Sequence, residues 1–128
     1  MSYYFTKTVT ASFDESVAKV TDELKKEGFG ILTEIDVKET LKKKLNVDFR
    51  RYKILGACNP PFAYKALTAE NKIGTMLPCN VIVQEIPGGR VEVTAIDPLA
   101  SMRAVENPAL TEIASDISKK LKTVIDRV

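Results

Sequence analysis

The chain has 128 residues, of which 45% are hydrophobic and 28% charged, and its formal net charge is +2. That length suits one domain, for which roughly 100–150 residues is common, and it can bury about two-thirds of its unfolded surface without disulfides or metal. Nothing in the composition indicates disorder, and so small a charge leaves no electrostatic footprint of a nucleic-acid binder.

No window approaches the roughly 20 apolar residues that span a bilayer. The segment Met-Ser-Tyr-Tyr-Phe-Thr-Lys has no charged n-region leading into an apolar run, as a signal peptide would. The expectation is therefore a cytoplasmic protein with no membrane role, in which two cysteines are reduced thiols. Histidine and tryptophan are absent. The first absence removes the commonest general base and the commonest metal ligand.

Tyr3 to Val9 alternates, with Tyr3, Phe5 and Val9 against Thr6 and Thr8, and predicts a half-buried strand. Ser12-Phe13-Asp14-Glu15 has the form of a capping box. Val17, Val20 and Leu24 follow at helical spacing, and Gly28 supplies the stop. Phe29 to Ile35 reads as the second strand, with Phe29, Ile31 and Ile35 on one side. Asp36 then caps a helix carrying Val37, Leu41 and Leu45, with Lys42, Lys43 and Lys44 in its last turn, where the helix dipole favours cations. Those lysines are either a basic patch for phosphates or an acidic partner, or an ordinary solvated helix end.

Arg51 to Cys58 reads as an interior strand, apolar on both faces near its end. Asn59-Pro60 opens a helix, with asparagine as cap and proline at the first helical position. Phe62, Ala63, Ala66 and Leu67 form its apolar side, and Gly74 and Pro78 mark a connecting loop. Cys79 to Ile86 and Val91 to Ile96 pair through Pro87-Gly88-Gly89-Arg90 as a hairpin. Pro98 to Glu106 is expected to be loop. Asn107-Pro108 repeats the helix start, and Leu110, Ile113, Ala114, Ile117, Leu121, Val124 and Val128 make one sustained stripe of a long terminal helix. No linker or repeat divides the chain, so a single domain over residues 1–128 is expected.

The candidate site is Cys58, Asn59, Pro60, Cys79 and Asn80. Cys58 precedes a helix N-terminus, a position that can lower a thiol's pKa; the alternative is a small buried hydrophobe at a strand end. Whether Cys79 meets it depends on the connection. The helix advances roughly 15 Å at 1.5 Å per residue, and the loop could retrace this at about 3.3 Å per residue. A returning loop makes the strands antiparallel and the thiols neighbours; a loop that runs on makes the strands parallel and separates them. A thiol pair would suit disulfide redox chemistry, sulfur transfer or a soft metal. The separation of 21 positions matches no zinc framework, so no metal or cofactor is predicted.

Other constellations are thinner. Glu34, Asp36, Glu85 and Asp97 lie near strand ends, where two could meet as an acid/base pair. Ser101 and Ser115 lack a histidine to activate them. Gly88-Gly89 lacks the strand-to-helix context of a phosphate loop. Tyr3, Tyr4, Tyr52, Tyr64 and Arg50-Arg51 could form a stacking surface, but ordinary strand packing explains them better and nucleic acid is not expected.

Gly56-Ala57-Cys58-Asn59-Pro60, Ala66-Leu67, Leu77-Pro78-Cys79-Asn80-Val81 and Ile96-Asp97-Pro98 resemble the signature of a prokaryotic family, domain of unknown function 302. The likeness extends from the first strand to the last helix. It implies helices packed on a mainly antiparallel sheet, a homodimer, and no assigned activity. Together with the element pattern, the expected fold is α+β: a two-layer α/β sandwich of about five mainly antiparallel strands, helices on one face, and a long C-terminal helix. The expected function is an uncharacterised one, with a small-molecule ligand near Cys58 and Cys79. The alternatives are a thiol-dependent redox, sulfur-transfer or soft-metal protein, and a non-enzymatic interaction module. Neither catalysis nor its absence follows from the residues.

Overall fold

The structure is a computed structural model and describes residues 2–128. Strands β1 (Tyr4–Val9), β2 (Gly30–Asp36), β3 (Tyr52–Cys58), β4 (Cys79–Ile86) and β5 (Arg90–Ile96) form one sheet in the order β1-β5-β4-β3-β2. Every neighbouring pair is antiparallel. Helices α1 (Phe13–Lys26), α2 (Val37–Leu45), α3 (Pro60–Ala69), α4 (Pro98–Ser101) and α5 (Pro108–Arg127) complete the chain. This is the expected α+β sandwich with its long C-terminal helix.

Local signals set most element ends. Ser12 Oγ accepts a hydrogen bond from the Glu15 N–H at 3.1 Å, which starts α1. At the other end Gly28 has φ +85°, a conformation that glycine adopts without steric cost. Its N–H donates to the Lys25 carbonyl, and the Phe29 N–H reaches back to Leu24. That is a Schellman closure, and Leu24 and Phe29 are both buried beneath it. Asp36 ends β2 and caps α2 through the Glu39 N–H at 3.0 Å.

Two apolar clusters form beneath the helices. The larger joins Val20 and Leu24 of α1, Val81, Val83 and Val93 of the sheet, and Leu121 and Val124 of α5. The smaller joins Ala66, Ile73, Met102, Leu110 and Ala114. Helix α5 supplies residues to both, as a stripe sustained over 20 residues allows.

Four expectations need correction. Residues 98–106 are not all loop, because Asp97 Oδ1 accepts from the Leu99 N–H at 3.0 Å and caps the short helix α4. The connection before Pro78 contains a 3-10 turn over Ile73–Met76, whose Ile73 is buried. Phe29, Ile31 and Ile35 do not share a face. A bulge between Ile31 and Thr33 shifts the register by one, so Ile35 pairs with Ile54 on the uncovered face. The stripe of α2 buries nothing, and Leu45 is 66% exposed.

Gly56 lies in β3 where a side chain has no room. A Cβ there would meet Pro78 Cγ at 2.9 Å and also collide with Thr33 Oγ1. The threonine, on an exposed edge strand, can rotate away; the proline ring cannot. Gly56→Ala is therefore expected to cost about 1–3 kcal/mol in urea unfolding, and a midpoint equal to wild type would contradict this packing.

Candidate functional site

The connection between β3 and β4 turns back. Ala57 pairs with Cys79, so Cys79 lies one residue across from Cys58 at the end of the sheet. Beside this corner is a cavity of about 310 Å³, bounded by the sheet end, α3, α4, α5 and the 3-10 turn. It opens at the seam between the two apolar clusters: Phe29, Ala57 and Cys79 come from the larger, and Ala66, Met102 and Ala114 from the smaller. Ala63 and Ala66 on α3 and Ala114 on α5 are the small residues of its lining, set among the longer Phe62, Leu67, Ile113 and Ile117 of the same two helices.

The candidate residues divide accordingly. Cys58, Asn59 and Cys79 line the cavity. Pro60 is exposed at the start of α3 and does not line it, and Asn80 is exposed on the sheet face that the helices leave uncovered. The walls contributed by the α4 segment and α5 (Pro98, Met102, Ala114 and Ile117) lie outside the candidate set that the sequence suggests. The one signal that bears on them is Ala114, a small residue within a stripe of large ones.

Asn59 does not cap α3 as expected. Its Nδ2 donates instead to the Glu27 carbonyl at 3.1 Å, tying the start of α3 to the end of α1. Asn107, in the same Asn-Pro setting, does cap: its Oδ1 accepts from the Ala109 N–H at 3.1 Å while Nδ2 donates to the Ala69 carbonyl at 2.8 Å. The N-terminus of α3 is further impoverished because Pro60 and Pro61 have no N–H. The Ala63 N–H is already bonded to Asn59, so few donors remain to stabilise a thiolate or any other anion there.

The thiols differ in setting. Cys58 is half-buried and Cys79 buried, and both are free. Burial first, and then neighbouring Cys58, push the Cys79 thiol up from its ordinary 9.0 to about 11. Cys79 is therefore protonated at neutral pH and a poor nucleophile. Among the described residues no three or more histidine, cysteine or acidic side chains gather as a metal cluster.

The remaining constellations have structural employment. Glu34 pairs with Lys53 at 2.6 Å, Asp36 caps α2, and Asp97 holds Ser118 Oγ at 2.8 Å besides capping α4. β3 and β4 lie between β2 and β5 in the sheet, so Glu34 and Asp36 do not meet Asp97, which follows β5. Lys42 pairs with Asp48 at 3.2 Å and Lys43 with Glu39 at 2.9 Å, which draws the basic patch into local ion pairs. Arg50 lies over Phe49 and Tyr52 and donates to Gln84, and Arg51 pairs with Asp14. Tyr64 is on α3, away from the sheet tyrosines.

The architecture is thus an α+β sandwich with an apolar cavity at one end of its sheet. The chain belongs to the family described as domain of unknown function DUF302, which it matches over residues 5–128. It is also similar to the crystal structure of an uncharacterized conserved DUF302 protein from Bacillus stearothermophilus. The two are 33% identical, the match covers 99% of this chain and 98% of that one, and the TM-score is 0.92. No curated protein matches the chain. No described helix is long and apolar enough to cross a membrane.

The raised Cys79 pKa has a consequence for stability. Between pH 9 and about 11 the unfolded chain loses this proton while the folded chain retains it, so stability falls as pH rises through that window. The shift corresponds to about 3 kcal/mol. Wild type should lose about that much more than Cys79→Ala between the two ends of the window in urea unfolding; an equal loss in both would refute the assignment.

Proposed function

We propose that this chain binds a small molecule in the cavity beside Cys58 and Cys79, and that it does so as a cytoplasmic homodimer. The observation that carries the first part is the cavity itself, about 310 Å³ between α3 and α5 in an otherwise well-buried core. Unfilled space in a core costs stability, since each lost contact is forfeited. Ligand pockets run from roughly 300 to 1,000 Å³, so this one suits a compact molecule.

A thiol-dependent role is the alternative, favoured by the closeness of Cys58 to Cys79. Against it stand the protonated Cys79 and the donor-poor start of α3. An interaction module built on Lys42 to Lys44 is weakened by the ion pairs that already engage two of those lysines. Two free thiols fit a reducing compartment and so support the cytoplasmic location.

The test uses N-phenyl-1-naphthylamine, an uncharged probe that brightens in apolar surroundings. Wild type should bind it with a saturable rise in fluorescence. Ala114→Leu should fill the cavity, keep or raise stability by about 1 kcal/mol, and lose the probe. A correctly folded variant that binds the probe as wild type does would place the ligand elsewhere and defeat the proposal.

Support for the homodimer comes from the uncovered sheet face. Its centre presents Tyr4, Thr6, Tyr52, Ile54, Ile82, Thr94 and Ile96, and the charges beside them, Glu92 and Arg50, are both bonded to Gln84. Five strands spaced about 4.8 Å apart and about 7 residues long make a face of roughly 550 Å² in projection, about two-thirds of the roughly 800 Å² per partner of a standard interface. A self-complementary, nearly uncharged face suits a second copy. Sedimentation should show a dimer that Ile82→Glu converts to a folded monomer; a monomeric wild type at micromolar concentration would refute this.

A further inference from the structure

We infer that the cavity takes an uncharged ligand and rejects close analogues of either charge sign, an inference that rests on the proposed binding role and specifies its chemistry. Among the described residues, none of the side chains lining the space is charged. An ion entering it would leave water for a wall of alanine, phenylalanine, isoleucine and methionine, and burying an unpaired charge is among the costliest events in a protein.

The two features that could have repaid an anion are both weakened by the chain itself. A helix N-terminus normally offers free N–H groups and the positive end of its dipole. Here Pro60 and Pro61 remove two of those groups and leave that of Phe62 at the first turn. Asn59 is the only amide side chain in the wall, and its Nδ2 is committed to the Glu27 carbonyl. A cation fares no better. The more deeply buried thiol, Cys79, keeps its proton at neutral pH through its own burial and so offers a cation no charge. Asp97, next in the chain to the lining residue Pro98, caps α4 and holds Ser118 rather than lining the space.

The walls also set size and shape. A space of about 310 Å³ is at the small end of ligand pockets, which favours a molecule of one or two fused rings or a short branched hydrocarbon. Phe29, Phe62 and Met102 offer ring and thioether surfaces that suit an aromatic body. Leu32, on the β2 bulge, and Leu67, on α3, are exposed cavity-lining residues and form an apolar mouth.

The experiment is displacement of N-phenyl-1-naphthylamine from wild-type protein at pH 7.5 by three rigid molecules of one shape. These are 2-methoxynaphthalene, 2-naphthoate and a 2-naphthyl trimethylammonium ion, and thermal unfolding is measured with each. The neutral molecule should displace the probe and raise the unfolding temperature. Both ions should bind about a hundredfold more weakly or worse. Displacement by either ion within about threefold of the neutral molecule would overturn this inference while leaving the binding role intact. So would a raised unfolding temperature with an ion in protein that ignores the neutral probe. Absence of binding by the probe and by all three molecules would overturn the binding role and this inference together.

Discussion

Helix α5 is the contact on which the rest of the structure depends. It crosses the helix layer for about 30 Å, and its buried residues run from Leu110 in the smaller apolar cluster to Ile125 in the larger. Each fully buried aliphatic side chain contributes roughly 1.5–3 kcal/mol relative to exposure. One helix therefore couples α1 and the sheet at one end to α3, α4 and the 3-10 turn at the other. The two clusters do not merge into one core. Where α5 passes between them it carries Ala114 opposite Ala66 of α3, and the gap that these small residues leave is the cavity.

That origin explains the chemistry of the site. A space that arises as a discontinuity between hydrophobic clusters inherits apolar walls, because most residues around it belong to those clusters or pack against them. The polar groups nearby have been drawn into structural duties: Asn59 ties α3 to α1, and Asp97 joins β5, α4 and α5. The paired prolines at the start of α3 suit the first turn of a helix and at the same time remove donors from the cavity corner. The same residues thus serve the helix start and strip donors from the cavity corner. The thiols share this character, Cys79 being held neutral by burial in an apolar corner.

Much of the fold is legible in local signals. Ser12, Gly28, Asp36 and Asn107 mark helix ends by hydrogen bonds or backbone angles that depend only on neighbours in the chain. The hairpin at Gly88-Gly89 is equally local, since both glycines adopt positive φ values of +89° and +70°. The stripe of α5 is readable because burial imposes its period on the sequence. Local signals failed where a nonlocal partner competed. Asn59 has the same residue pair as Asn107, but the Glu27 carbonyl, 32 positions away, takes its amide. At Leu32 a bulge reverses the facing of Ile35, which strict alternation could not anticipate.

For the site, the sequence alone identified the corner: two cysteine–asparagine motifs, each beside a proline at a strand boundary. It determined the residue types there and left the path between them open, because a helix and a loop of those lengths are compatible with either strand direction. Only the tertiary structure decided that the loop returns and pairs Ala57 with Cys79. It alone also brought Ala114 and Met102, from the far end of the chain, against Ala66. The reason is physical. Capping, turns and periodic burial are properties of neighbouring residues, whereas a cavity is defined by what distant segments fail to fill when they pack.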